Sequence, residues 1–220
     1  MSQVTPPDAW KPKTTSHRFF AAFYERLSRG GSEHSFMEPL RKEIIGQTQG
    51  IVLEIGAGNG LNFAFYDPGQ VQRLEAIEPD SAMLRYARER VKTARVPITL
   101  TQAPVEDLPF ADETFDSAVA TLVFCSVTNP AHGLSEIRRV LKPGGTLLVE
   151  HVRAQGAIAS RVQDIITPLT KLMAGNCHWN RNTERTVADA GFAIQDRRDL
   201  RGVLQPRVLQ PMIMLRASRS

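Results

Sequence analysis

The stretch Val52-Leu53-Glu54-Ile55-Gly56-Ala57-Gly58-Asn59-Gly60 constrains this chain more than any other. Residues 51–55 form an apolar run interrupted only by Glu54, and three alternating glycines follow. The run predicts a buried strand. Glycines at 56, 58 and 60 allow torsions and a close approach of main chain to ligand that any β-carbon would block. The segment therefore reads as a strand turning sharply into a nucleotide-gripping loop, with Glu54 placed to meet a positively charged group. The dinucleotide fingerprint needs its third glycine at position 61, where Leu61 stands.

At 220 residues the chain suits a single domain whose core needs no disulfide or metal staple. A hydrophobic content of 42% and a charged content of 23% are ordinary for a globular protein. No apolar run approaches the ~20 residues that cross a bilayer, so no membrane span is expected. The opening Met1-Ser2-Gln3-Val4-Thr5-Pro6-Pro7-Asp8 lacks the basic start and apolar stretch of a secretory signal. The expected location is the cytoplasm. Cys125 and Cys177 show no metal or redox spacing and read as reduced thiols. Residues 181–220 hold eight Arg against four acidic residues. They are scattered without aromatic companions and read as a solvated basic face, not as a nucleic-acid surface.

Residues 1–15 read as a flexible arm, and 16–220 as one domain. Phe19, Phe20, Phe23 and Leu27, then Met37, Leu40, Ile44 and Ile45, fall at helical spacing and predict two helices within 17–46. Strands and helices then alternate: strand 51–55, a helix opening near 60, strand 72–77, a helix over 80–92 capped at Asp80-Ser81, strands 98–102 and 116–123, a helix over 131–141 and strand 145–151. Pro143-Gly144-Gly145 reads as a turn delivering that fifth strand. An apolar helix over 158–173 and strands 192–196 and 207–216 complete the pattern. Such alternation builds a Rossmann-like α/β fold, a mostly parallel sheet with helices on both faces.

In an open parallel sheet the ligand lies beyond the carboxyl ends of the strands. The glycine loop and Asn62 follow the first strand, and Glu78 and Pro79 follow the second. An acid at that second place can accept both hydroxyls of a ribose. A glycine loop with Glu78 placed 18 residues beyond Gly60 points to S-adenosyl-L-methionine as cofactor, with S-adenosyl-L-homocysteine as its product.

Beyond the third strand lies Ala103-Pro104-Val105-Glu106-Asp107-Leu108-Pro109-Phe110; Phe115-Asp116 opens the fourth strand, and Arg138-Arg139-Val140-Leu141-Lys142-Pro143-Gly144-Gly145 precedes the fifth. With the loop at 54–60 this combination resembles the class I S-adenosylmethionine-dependent methyltransferases. The resemblance implies a seven-stranded sheet whose last strand is antiparallel. It implies cofactor contacts at Glu54, Gly56, Ala57, Gly58, Asn59, Gly60, Asn62, Glu78, Pro79, Val105, Glu106, Thr121 and Leu122. Where the family often has Asp to bond the adenine amino group, this chain has Pro104, which leaves the Val105 backbone N–H for the ring. Tyr24 lies on a helix that folds over the cofactor in related enzymes; it reads equally as an ordinary amphipathic-helix aromatic.

Thr121-Leu122-Val123-Phe124-Cys125-Ser126-Val127, Glu150-His151-Val152 and Gly175-Asn176-Cys177-His178-Trp179-Asn180-Arg181-Asn182-Thr183 are similar to segments of the methyltransferase-like thiol S-methyltransferases of animals, as is Asn62-Phe63-Ala64-Phe65-Tyr66. Quinone and phospholipid methyltransferases show a weaker similarity. Animal members open with an apolar anchor and this chain with a polar arm, so membrane residence is not carried over. The implied partner is a small lipophilic acceptor, preferably a thiol, with N-, O- or C-methylation of a quinone- or lipid-like molecule as the alternative. A binding protein that regulates without transferring methyl groups is the alternative of another class.

An in-line methyl transfer relies chiefly on alignment, worth roughly 7–11 kcal/mol, and a base helps when the nucleophile must lose a proton. His151, at the end of the fifth strand, and His178 are the candidates. His17, His34 and His132 read as structural or surface groups. Cys177 reads as a packed thiol in preference to a methyl-carrying nucleophile, and Cys125 as buried and inert. Trp179 and the helix over 158–173 would form a hydrophobic lid, which makes residues 17–46 and 153–182 a substrate cap. No metal site is expected.

Overall fold

The computed structural model describes residues 16–30, 35, 37–150, 178, 181–200 and 212–220, and the backbone of 151–152. The 1–15 arm, the apolar segment 158–173, Cys177, Trp179 and the side chain of His151 lie outside the described residues.

The chain order is α1 (Arg18–Leu27), α2 (Glu38–Ile45), β1 (Gly50–Ile55), a 3-10 turn (Leu61–Phe65), β2 (Val71–Ile77), α3 (Ser81–Val91), β3 (Ile98–Thr101), β4 (Phe115–Thr121), α4 (Pro130–Val140), β5 (Leu141–Val152), α5 (Thr183–Asp189), β6 (Phe192–Leu200) and β7 (Met212–Arg219). The seven strands form one sheet in the order β3-β2-β1-β4-β5-β7-β6. Pairings β2–β3, β1–β2, β1–β4 and β4–β5 are parallel, while β7 runs antiparallel to both β5 and β6. The topological switch lies between β1 and β4, so the carboxyl ends of β2, β1 and β4 frame the crevice where such sheets bind ligand.

Both faces of the sheet are buried. One carries Leu53, Ile55, Ala118, Ala120, Leu147 and Val149 against Leu134, Ile137 and Val140 of α4. The other carries Val52, Val119 and Leu148 with Ile44 and Ile45 of α2, Phe63 and Tyr66. Asp80 caps α3 by accepting from the Ala82 and Met83 amides, and Asn129 caps α4 by accepting from His132 N–H.

The family-like motifs have structural causes. Asp116 accepts from the Ile51 amide at 2.8 Å and from Lys142 Nζ at 2.7 Å, which ties β1, β4 and the Leu-Lys-Pro-Gly-Gly segment together. Arg139 donates to the carbonyls of Phe110 and Leu108 and to Asp112 and Glu136, so the Leu-Pro-Phe loop is held by α4.

Several expected boundaries move. The helix expected near 60 is only the 3-10 turn. The fourth strand stops at Thr121, two residues early, because Leu122 takes a left-handed φ of 57°. The fifth starts at Leu141, and Pro143-Gly144-Gly145 forms an irregularity inside it, where the register shifts between Phe115 and Ser117. The final strands are Phe192–Leu200 and Met212–Arg219, both running further than expected at their carboxyl ends; residues 207–211 of the expected last strand lie outside the described residues. Helix α5, capped by Asn182, adds to the expected elements, since its seven residues carry too short an apolar pattern to predict a helix.

Gly60 has φ +83°, and a β-carbon there would stand 2.6 Å from the buried Phe63 ring and 3.2 Å from Ala87 Cα. Gly60→Ala should therefore cost about 1–3 kcal/mol from backbone strain alone, read by urea unfolding without ligand. Gly69→Ala, whose β-carbon meets only Asp67 Oδ1 at 3.4 Å, should shift stability by less than about 1 kcal/mol. Equal stability of the two variants would contradict this account of the turn.

Candidate active site

The turn after β1 is fixed by main-chain bonds. Ala57 N–H donates to the Ile77 carbonyl at 2.9 Å and Gly60 N–H to the Ala57 carbonyl at 2.8 Å. A β-carbon on Gly56 would strike Val123 at 2.6 Å, so Gly56, like Gly60, is demanded by packing within the protein. Gly58 differs. Its φ is +56°, and a β-carbon there would meet nothing nearer than the Gly56 carbonyl at 4.0 Å. The open side of the loop is at Gly58, where a ligand can approach the main chain.

Glu78 faces that opening. Its Oε2 accepts from Gly58 N–H and its Oε1 from Asp80 N–H, both at 2.9 Å. Each carboxylate oxygen retains a second acceptor position, which suits a vicinal diol. Burial raises the Glu78 carboxyl to about 7 against the two amide bonds that lower it. Pro79, half-buried, fixes the exit from β2, and its carbonyl accepts from Gln102. Val105 is buried against Gly133 of α4, where a β-carbon would come within 2.9 Å of it. Glu106 is turned towards the start of α4: its Oε1 accepts from the Thr128 and Asn129 amides at 2.9 and 3.0 Å.

Across the ends of β1 and β4 runs a buried polar cluster. Glu54 accepts from Asn62 Nδ2 at 2.9 Å and from the Tyr66 hydroxyl at 2.8 Å. Asn62 Nδ2 also donates to Thr121 Oγ1 at 3.0 Å, and Asn62 Oδ1 accepts from Arg41 at 2.9 Å. Burial lifts the Glu54 carboxyl to about 7, opposed by Tyr66, Asn62 and the Arg41 charge. Asn62 links the Arg41 guanidinium to this carboxyl, accepting from the one and donating to the other.

The Asn59 side chain is buried and bound by α1. Its Nδ2 donates to Glu25 Oε2 at 2.7 Å and Ser28 Oγ at 3.1 Å, while Arg90 binds both Glu25 and the Asn59 carbonyl. Asn59 is among the expected cofactor contacts; its side chain fastens α1 to the loop. Burial would raise the Glu25 carboxyl, yet bonds from Arg90, Asn59 and Arg29 hold it below the usual range. Tyr24 of the same helix is half-buried and packs with Phe20, Ala82, Met83 and Tyr86. His17 closes this junction on Asp80 Oδ2 through its amide at 2.8 Å and its ring at 3.0 Å.

Beyond β4 the chain turns at Leu122, whose N–H donates to the Glu150 carbonyl at 2.9 Å. Cys125 is a buried thiol whose Sγ lies 3.4 Å from the Leu122 carbonyl. His178 is brought to this loop: its N–H donates to the Cys125 carbonyl at 2.7 Å, and its Nδ1 lies 3.1 Å from that oxygen. A carbonyl only accepts, so Nδ1 carries the hydrogen and Nε2 is the basic nitrogen. Arg181 donates to the Phe124 and Val127 carbonyls, which clamps the segment. The backbone of His151 lies in β5 opposite Ile213. No group of metal ligands occurs among the described residues, and no helix among them is long and apolar enough to cross a membrane.

Residues 53–149 match the family model described as a methyltransferase domain. The chain is 34% identical over 170 residues to human thiol S-methyltransferase TMT1B, covering 71% of this chain and 69% of that protein. The chain belongs to the class I S-adenosylmethionine-dependent methyltransferases. Within that family, similarity also extends to the ubiquinone/menaquinone biosynthesis C-methyltransferase UbiE of Geotalea daltonii, 30% identical over 132 residues, or 58% of this chain and 56% of that one. The fold matches that of geranyl diphosphate C-methyltransferase from Streptomyces coelicolor, solved with S-adenosyl-L-homocysteine, at a TM-score of 0.66 and 14% identity over 83% of this chain and 76% of that one. The protein is an S-adenosylmethionine-dependent methyltransferase, and its cofactor is S-adenosyl-L-methionine.

Glu54 and Glu78 make the ligand-free methyltransferase pH-sensitive. Each carboxyl has an ordinary value of 4.5 and a folded value of about 7, so between these the folded state binds more protons than the unfolded one. Their contribution to stability accordingly falls as pH rises from about 4.5 to about 7. Glu78→Gln should flatten that decline in melting temperature measured from pH 4.5 to 8; a slope like that of the unaltered protein would refute burial as its cause.

Proposed function

We propose that this methyltransferase S-methylates small lipophilic thiols. The observation that carries this reading is the similarity to human thiol S-methyltransferase TMT1B over 71% of the chain. The residues present fit the cofactor. The opening at Gly58 admits it, Glu78 takes the ribose hydroxyls, and the Val105 amide meets the adenine. Residues 16–220 act as one domain, with α1 and α2 in its substrate cap. Phe19 and Phe23 of α1 are 95% and 63% exposed and supply apolar surface for such an acceptor.

When bound, the cofactor supplies an electrophilic methyl group on a sulfonium leaving group. The chain's part is to place the acceptor in line and to take its proton. His178 is suited to this by its Nδ1 bond to the Cys125 carbonyl, which presents Nε2 as the base. His178 Nε2 would take the thiol S–H proton, leaving the acceptor sulfur free to take the methyl group that the bound cofactor would supply, with the electron pair of the broken bond left on the departing cofactor. A thiol of unperturbed pKa about 8.5 needs only this modest help. His151 is the second candidate for the base.

A second reading, C-methylation of a quinone-like acceptor, is favoured by the similarity to UbiE. Incubation of thiols, phenols, amines and quinols with labelled cofactor separates the two. Thiols should be methylated fastest, and His178→Gln should lower their kcat/KM by about 10²–10⁴-fold below the thiol pKa and far less above it. Turnover of quinols alone would replace thiol methylation with the second reading, and cofactor binding without turnover would support a regulator. A loss in His178→Gln independent of pH would remove the histidine as base.

A further inference from the structure

Arg41 lies on α2, outside every glycine-loop and strand-end motif, yet only 5% of its surface is exposed. Its Nη1 donates to Asn62 Oδ1 at 2.9 Å inside the cluster at the ends of β1 and β4. This bond decides how the Asn62 amide sits. A guanidinium only donates, so Oδ1 must face it and Nδ2 must face the opposite way. There Nδ2 bridges Glu54 Oε1 at 2.9 Å and Thr121 Oγ1 at 3.0 Å. Tyr66 holds the other Glu54 oxygen at 2.8 Å. The carboxylate is thereby oriented with acceptor capacity left, and the Thr121 hydroxyl, which accepts from Nδ2, keeps its hydrogen to donate.

The position of this pair follows from the strand order. Glu78 ends β2, Glu54 lies near the end of β1 and Thr121 ends β4, and these strands are neighbours in that order. Adjacent strands lie about 4.8 Å apart. A ribose at Glu78 therefore leaves the remaining arm of the cofactor to run over β1 and β4. That arm ends in an α-ammonium, which donates, and an α-carboxylate, which accepts.

We propose that Arg41 is a positioning residue for the amino-acid end of the cofactor: by pinning Asn62 it sets Glu54 as acceptor for the α-ammonium and Thr121 as donor to the α-carboxylate. The inference rests on the reading of Glu78 as the ribose site. Without Arg41 the amide is released to turn its oxygen towards the Glu54 carboxylate, which sets acceptor against acceptor.

The test compares two ligands by calorimetry on the full chain. S-adenosyl-L-homocysteine carries the amino-acid arm, and 5′-methylthioadenosine has the same nucleoside and sulfur without it. Arg41→Met should raise the Kd for S-adenosyl-L-homocysteine at least tenfold while leaving that for 5′-methylthioadenosine within twofold. Arg41→Lys, which restores a donor, should recover most of the loss. Equal weakening of both ligands, as from loosening of α2, or no weakening of either would overturn the proposal. If Arg41→Met does not fold, Thr121→Val carries the test, since it exchanges the hydroxyl for a methyl group and should show the same selectivity; a non-selective or absent effect would overturn the assignment. Failure of the unaltered protein to bind either ligand would instead overturn the reading of the cofactor site itself.

Discussion

The tight turn from Gly56 to Gly60 is the constraint on which the rest of the molecule is organised. It is held from two sides. In front, Glu78 takes the Gly58 amide and so links the ends of β1 and β2. Behind, Asn59 is bound by Glu25 of α1, and Arg90 of α3 grips both. The glycines divide accordingly: those at 56 and 60 have no room for a side chain because protein fills it, while Gly58 opens onto space. A turn locked at its back and open in front is preorganised, so little ordering remains to be done when ligand arrives.

This arrangement concentrates buried carboxylates at one rim of the sheet. Glu54 and Glu78 are both lifted to about 7 by burial, whereas Glu25, fastened by two arginines and an asparagine, is held down. The contrast separates two tasks. Glu25 contributes to the junction between helices and loop, and its ionised form is favoured by its partners. Glu54 and Glu78 are destabilised as anions in the ligand-free protein, and a ligand bringing hydroxyl and ammonium donors relieves that cost. Functional sites commonly carry such local penalties, offset by the fold around them.

Much of this was legible in the chain itself. The apolar run before Gly56, the alternation of strands and helices, the cap at Asp80 and the acid at Glu78 follow from local pattern, and the structure shows the doubly wound sheet they imply. What could not be read depends on contacts distant in sequence. Glu25 and Asn59 are 34 residues apart, and nothing in an amphipathic helix marks one glutamate as the fastener of a loop. Arg41 belongs to no motif, and only its contact with Asn62, 21 residues away, sets it apart. Asn59 and Glu106 sit within motifs from which cofactor contact is expected, and that pattern does not reveal that the Asn59 amide and Glu106 Oε1 also fix protein segments. Leu122 broke the fourth strand by a backbone conformation that its residue type does not announce.

The central claim, that an adenosyl sulfonium lies across Gly58 with its ribose on Glu78, is tested most directly by titrating S-adenosyl-L-homocysteine into the unaltered protein and into Glu78→Ala. Saturable binding weakened by about 1.5–3 kcal/mol in the variant, the worth of hydrogen bonds to a charged group, is the predicted result. An identical dissociation constant for the two proteins, or no binding to the unaltered one, would contradict it.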